Sequence, residues 1–213
     1  MNWKKQNKYK MDNGEDEVQP TLGPFIINTE QSQVNASMRV VENTIFFYDD
    51  INNEAILDLN RILREVDIKL QNTKNVLGDC FTPIIHLRIK TDGGDIYSAL
   101  STLDILPTLK SKVYTYVDGC VASAGTLISV AGERRFMGKH ANLLIHQLSG
   151  DMYGKYSEMK DTMEGCTNLM KCIKGIYKEH TKIPMKKLDE LLNRDLWLSA
   201  QECLEYGIID EIL

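Results

Sequence analysis

Apolar side chains fall along the chain in two rhythms, one suited to strands and one to helices. Thr44-Ile45-Phe46-Phe47-Tyr48 is a β-branched and aromatic run that predicts a buried strand. Asn52 or Asn53 then offers a helix cap, and Ile56, Leu59, Leu63, Val66 and Leu70 recur at three- and four-residue steps on one helix face. Residues 84–89 form a second strand, ended by Gly93-Gly94. Ile96, Ala99, Leu100 and Leu103 mark a helix that Pro107 stops, and residues 113–117 form a third strand. A small-residue turn over 119–125 leads into an apolar helix through Ala131, and Leu143-Leu144-Ile145 is another strand. Met159, Met163, Cys166, Met170, Ile173 and Tyr177 predict a long helix over about 153–181, and Pro184 opens a shorter one at its first turn. Ser199 and Glu202 form a capping box, Gly207 stops that last helix, and Ile208-Ile209 begins a final strand.

Strands alternating with helices of this length imply βαβ crossovers and a helix-covered sheet, hence an α/β domain. In such sheets ligands gather beyond the C-terminal ends of strands. Residues 1–23 carry a Lys cluster and then an acidic one with few apolar side chains, which predicts a mobile tail; residues 24–213 read as one domain without repeats or linkers. A chain of 213 residues buries enough core to stand without staples.

Charge and cysteine content narrow the partners. The formal net charge of −5 argues against nucleic acid. Five cysteines, none at C-x-x-C spacing, read as reduced thiols of a cytoplasmic protein, not as a disulfide framework or a metal site. The basic N-terminus runs into an acidic stretch where a signal peptide would need an apolar region, and no apolar run reaches the ~20 residues a membrane span requires.

Candidate chemistry collects where strands end. Ser123 opens a helix between Ala122 and Ala124-Gly125, so its hydroxyl is approachable and the Ala124 N–H beside it lacks a helical acceptor. Gly94, after the preceding strand, can turn a second N–H into the same space, making a two-amide oxyanion hole. A serine at neutral pH needs a base, and His146 ends a strand on the same sheet edge. Asp195, in the loop between two late helices, can fix the imidazole tautomer as in a Ser-His-Asp triad. Taken singly, each residue also has a plain structural reading. Small residues around Ser123 suit a tight strand–helix junction, strand-end histidines commonly pack, a glycine pair can be a simple turn, and Asp195 can pair with Arg194. His86, His140 and His180 are assigned to no metal, and the methionine-rich face of the long helix is either core or interface.

At these residues the chain resembles the proteolytic subunit of the Clp protease family. Asp92-Gly93-Gly94-Asp95-Ile96 is similar to that family's glycine turn, Val121-Ala122-Ser123-Ala124-Gly125 to its nucleophile motif, and Leu144-Ile145-His146-Gln147 to its histidine motif. Arg194-Asp195-Leu196-Trp197-Leu198-Ser199-Ala200 with Glu205-Tyr206-Gly207 is similar to its aspartate motif and C-terminal signature, and the likeness covers about 41–213. It implies the ClpP/crotonase-like fold, a repeated ββα superhelix with a protruding long helix. It implies Ser123 as nucleophile, His146 as general base and acid, Asp195 as orienting partner, and the Gly94 and Ala124 amides as oxyanion donors. The same likeness implies a homo-oligomer of two stacked heptameric rings enclosing the sites, an AAA+ unfoldase as partner, unfolded polypeptide as substrate, and no cofactor. Arg194 beside the aspartate is read as a sensor that ties ring contact to site geometry.

The chain departs from the family pattern at several points. Asp92 stands where proline usually precedes the glycine pair, Leu148 where proline follows His-Gln, and Asp49-Asp50 where a glycine is expected. Residues 71–83 are longer than usual, and the region before Val41 differs from the family's gating loop; such divergence suits a phage-encoded or organelle-type member. Two other readings stand beside the peptidase: a catalytically impaired scaffold component, and an acyl-CoA hydratase or isomerase on the crotonase-like fold, which needs no serine nucleophile.

Overall fold

The computed structural model describes residues 38–213, so the tail expected over 1–23 lies outside the described residues. Strands β1 (Met38–Val41) and β2 (Thr44–Phe47) form a hairpin whose turn places Glu42 at φ 56, and Asn43 Nδ2 ties that turn to the Ile84 carbonyl at 2.8 Å. Helix α1 (Asn53–Leu77) starts where Asn52 accepts the Ala55 N–H at 2.9 Å, and Ile56, Leu59, Leu63, Val66 and Leu70 are all buried along its inner face. Strand β3 (Ile84–Thr91) buries Ile85, Leu87, Ile89 and Thr91 on alternate positions, the period-2 signature of a sheet packed on one face. Helix α2 (Ile96–Ile105) is capped by Asp95 and ends in a 3₁₀ turn over Leu106–Thr108 that contains Pro107.

β4 (Lys112–Ala122) departs from the sequence expectation. It runs eleven residues and takes in Gly119 to Ala122, the first part of the stretch that reads as a small-residue turn. Gly119, at φ 66, absorbs a bend, and the strand changes partner across it: residues 114–117 pair with β5 (Arg134–Met137), and residues 120–122 pair with β6 (Asn142–Leu144). Between Ile89↔Val117 and Thr91↔Val121 the ladder takes up extra β4 residues, so the far half of the strand is aimed afresh. Small residues carry little strand propensity of their own; the pairing with β6 and the burial of Val121 and Ala122 decide the conformation. β5 has no apolar run in sequence and exists because β4 offers it an edge.

Helix α3 (Ala124–Val130) is buried at every residue. Helix α4 (Tyr156–His180) is exposed from Tyr156 to Gly165 and rejoins the body through Ile173 and Tyr177. Helix α5 (Met185–Leu192), strand β7 (Trp197–Ser199), helix α6 (Ala200–Glu205) and strand β8 (Glu211–Ile212) follow, with the Ser199–Glu202 capping box in place and Gly207 at φ 61. Pro184 is the N-cap of α5, one residue earlier than its predicted place. The sheet order is β1-β2-β3-β4-β5-β8, with β6 on β4 and β7 on β6; the contacts from β2 through β8 along this path are parallel, as crossover helices require. α1 and α3 contribute Leu59, Leu63, Leu127 and Ile128 to a continuous core with the inner sheet face. Each such side chain stabilises the fold by about 1.5–3 kcal/mol.

The other sheet face carries an aromatic and ionic row. His86 Nδ1 meets the Tyr116 hydroxyl at 2.7 Å, Tyr116 stacks on Phe136, and Arg88 grips Asp118 through two bonds of 2.7 and 2.6 Å. At the far edge Arg135 binds both Asp210 oxygens and the carbonyls of His180 and Gly207, fastening β5 to the end of α4 and the C-terminal segment. Among the described residues no helix is long and apolar enough to cross a membrane.

Candidate active site

The sharp passage from β4 to α3 decides where Ser123 points. Its backbone lies at φ 55 and ψ −129, a conformation that costs a non-glycine residue about 1–3 kcal/mol and persists only when the surroundings over-determine it. Those surroundings are visible. The Ser123 N–H donates to the Leu144 carbonyl at 2.9 Å, which ties the turn to β6, and the Ser123 carbonyl accepts from Thr126 N–H at 3.0 Å. A strained strand-to-helix turn of this kind lifts a serine hydroxyl clear of the backbone.

Gly93 closes the turn from the other side. A Cβ built on it would lie 2.5 Å from Ser123 Cβ and 3.1 Å from Ser123 Oγ, and its φ of 101 is itself a glycine conformation. Gly94, at φ 140, approaches Ile51 so closely that a Cβ would meet the Ile51 carbonyl oxygen at 2.2 Å. That approach belongs to a one-residue parallel bridge, with Ile51 N–H donating to Gly93 O at 2.8 Å and Asp95 N–H donating to Ile51 O at 2.7 Å. The bridge uses the groups on either side of Gly94 and leaves the Gly94 N–H without an acceptor among the described residues. Ala124, the first residue of α3, has no helical acceptor either.

A cleft of about 60 Å³ is lined by Gly94, Ser123, Ala124 and His146, with Leu148 and Tyr177 among its other walls. Four of the five residues expected to do chemistry therefore share one concavity. His146 is half-buried, one residue past buried Ile145 and two past the end of β6. Gln147 N–H donates to Leu192 O at 2.7 Å, so the stretch that carries the histidine is pinned to the end of α5.

Asp195 stands apart from that lining. It is exposed, at the apex of a three-residue turn closed by Leu196 N–H donating to Arg194 O at 3.0 Å. The antiparallel ladder pairs Leu143 with Leu198 and Leu144 with Trp197; continued two residues further in the same register, it would set His146 opposite Asp195. The tight turn ends the ladder before that point. Among the described residues no hydrogen bond joins Ser123 to His146 or His146 to Asp195, and Arg194 and Asp195 make no ion pair with each other.

A second cavity, of about 810 Å³, opens beside the first and shares Ile96, Leu148 and Ser149 with it. Its apolar wall includes Met152, Met163, Leu169 and Met170, so part of the methionine face of α4 looks onto it. The Leu148 N–H meets Met170 Sδ at 3.2 Å, which holds the 148–152 loop against the helix. Some of the departures noted in the sequence lie together: Asp49, Asp50 and Asp92 line one hollow of about 300 Å³ with Lys90 and Cys120, at the C-terminal strand ends. Among the thiols, Cys203 is fully buried and its pKa is pushed up to about 12 by burial, which keeps it from acting as a nucleophile.

Two residues of the site were not legible in sequence. Thr126, inside an apolar helix, and Tyr177, read as one of the apolar positions of α4, meet through their hydroxyls at 2.5 Å directly beneath Ser123. A threonine at the fourth position of the Ser123 turn was the only available signal, and nothing near it pointed to a tyrosine 51 residues away.

The family model described as Clp protease matches residues 30–213. The ATP-dependent Clp protease proteolytic subunit of Streptococcus thermophilus is 36% identical over 136 residues, covering 62% of this chain and 69% of the relative. The proteins of the same name from Streptococcus salivarius and Streptococcus pneumoniae match with the same identity and coverage. Among solved structures, a ClpP1 point mutant from Listeria monocytogenes superposes with a TM-score of 0.68 at 25% identity, covering 81% of this chain and 91% of that one.

Proposed function

The chain belongs to the Clp protease family, and from that premise we propose that it is a self-compartmentalising serine endopeptidase, the proteolytic subunit of an ATP-dependent protease. The observation that carries the reading is the strained Ser123 turn sharing one cleft with His146 and with the unpaired amides of Gly94 and Ala124. Ser123 Oγ attacks the scissile carbonyl carbon while its proton passes to the His146 imidazole. The carbonyl oxygen becomes an oxyanion that accepts hydrogen bonds from the Gly94 and Ala124 N–H groups. The C–N bond breaks as His146 returns the proton to the leaving amine, and an acyl-enzyme on Ser123 remains. Water then attacks that ester by the same route in reverse, with His146 taking its proton and Ser123 leaving as the alcohol. No cofactor enters any step.

Asp195 takes the orienting role by a shift of its three-residue turn toward the position that the β6–β7 register assigns it opposite His146. The large cavity beside the cleft accommodates apolar side chains of an extended, unfolded polypeptide. The exposed first half of α4 is the segment that meets a second ring, and two stacked heptamers with a separate AAA+ unfoldase keep an unselective peptidase in the cytoplasm from meeting folded proteins. Arg194, exposed beside Asp195, couples ring contact to that turn.

One observation favours the scaffold reading: the triad hydrogen bonds are open in the single chain. Labelling with a fluorophosphonate separates the two. The peptidase is modified at Ser123, Ser123→Ala is not, and native mass of the labelled protein gives the ring; the absence of label on an assembled wild-type particle establishes the scaffold instead. In the same experiment, Arg194→Ala that keeps full assembly and full labelling removes the coupling role.

A further inference from the structure

The carbonyl of Ser123 and the N–H of Ala124 belong to one planar peptide group, in which the two bonds point in opposite directions. Whatever holds the carbonyl therefore aims the amide. Two donors hold it: Thr126 N–H at 3.0 Å and Thr126 Oγ1 at 2.6 Å. A carbonyl oxygen only accepts, so the Thr126 hydroxyl proton is committed to Ser123. The remaining contact of that hydroxyl is Tyr177 Oη at 2.5 Å, and here Thr126 must accept and Tyr177 must donate. Thr126 is 0% exposed and Tyr177 2%, so no water competes for either group. Burial also raises the Tyr177 pKa well above its ordinary value, which keeps the phenol protonated as the donor that the chain of bonds requires.

We propose that Thr126 and Tyr177 are positioning residues for the oxyanion hole: the directed relay Tyr177 O–H to Thr126 O–H to Ser123 C=O fixes the 123–124 peptide plane and points the Ala124 N–H into the cleft. The inference rests on the peptidase reading of Ser123. It gives a use to the buried Thr126 hydroxyl of α3 and to the buried Tyr177 hydroxyl of α4, which meet beneath the nucleophile. It also helps hold the strained turn, since the Ser123 carbonyl, at ψ −129, is bound twice while its N–H is bound to the Leu144 carbonyl. The relay makes α4 a structural part of the catalytic centre, because the Tyr177 ring is fixed by the helix and its hydroxyl is fixed by the turn.

Three variants test it: Thr126→Val removes the hydroxyl at constant shape, Thr126→Ser restores it, and Tyr177→Phe removes the outer donor while the ring stays in the core. Each is measured for kcat and KM on a fluorogenic peptide, for the rate of fluorophosphonate labelling, and for native mass. Losing an oxyanion donor outright costs about 10²–10³ in rate; a donor left in place but loosened costs less, roughly tenfold. The expected result is a roughly tenfold fall in kcat and in labelling rate for Thr126→Val and Tyr177→Phe, with KM and assembly unchanged and most of the rate recovered in Thr126→Ser. Folded Thr126→Val or Tyr177→Phe within about twofold of the wild-type kcat overturns the proposal. So does Thr126→Ser falling as far as Thr126→Val, because packing and not the hydroxyl would then be responsible. Wild-type protein without label at Ser123 overturns the peptidase reading and this inference with it, whereas labelled wild type with unaffected variants overturns the inference alone.

Discussion

Replacing Gly93 by alanine places a methyl group against the nucleophile. The new Cβ would stand 2.5 Å from Ser123 Cβ and 3.0 Å from the Ala122 carbonyl oxygen, about 1 Å short of ordinary contact on the side-chain pair. Both neighbours are part of the β4–α3 turn that defines the site, so neither is the loose end of a long side chain. Relief requires Ser123 to move by about 1 Å, and misplacement on that scale costs about 10² in rate. A further 1–2 kcal/mol is lost because alanine must adopt φ 101. Gly119→Ala supplies the control: φ there is 66, but nothing lies within 4 Å of the added Cβ. Both variants place alanine at positive φ, and only Gly93→Ala meets Ser123. Fluorophosphonate labelling rates and urea midpoints measured side by side should show Gly93→Ala slowed about 100-fold and Gly119→Ala slowed little at a comparable loss of stability. Gly93→Ala that labels within about threefold of wild type while remaining folded would refute the claim that glycine is required there for the approach of the two segments.

Two further predictions concern the sheet. Burial, and then the Arg88 charge, hold the His86 pKa below its ordinary value, so the folded protein takes up that proton later than the unfolded chain does. Stability is therefore lost as pH falls below the unfolded value of about 6.5, and His86→Gln should reduce the fall in Tm between pH 7.5 and 5.5; an unchanged fall would count against it. Arg135→Met strips the partners from Asp210 and from the carbonyls of His180 and Gly207 and should destabilise by about 3 kcal/mol in urea unfolding. Its hydrogen bond is the main cause that lowers the Asp210 pKa, so wild-type stability present above the ordinary carboxylate pKa is lost as pH falls through the lowered value. The variant should lack that part of the acid dependence, and a parallel pH profile would exclude Arg135 as its source.

Read from residues alone, Ile56, Leu59, Leu63, Val66 and Leu70 of the inner face of α1 came out because burial at three- and four-residue steps leaves a periodic pattern, while buried Ala55, Ile62 and Asp67 beside them did not. The Ser199–Glu202 cap came out for the same kind of reason, and the α1 cap was narrowed to Asn52 or Asn53, since caps are contacts between neighbours in sequence. The motif residues Ser123, His146 and Gly94 could be named because strand ends place them on one edge of an α/β sheet, and the cleft gathers them there. Other features depended on distant segments. β4 extends past Gly119 only because β6 lies beside it, and β5 is a strand only because β4 gives it an edge. The left-handed backbone of Ser123, the closeness of Gly93, the open position of Asp195 and the Tyr177–Thr126 relay are all encounters between residues far apart in the chain. Local chemistry and periodicity act over a few residues and are written in the order of the side chains. The aim of a peptide plane is a matter of tenths of an ångström between elements, and only contacts between distant segments settle it.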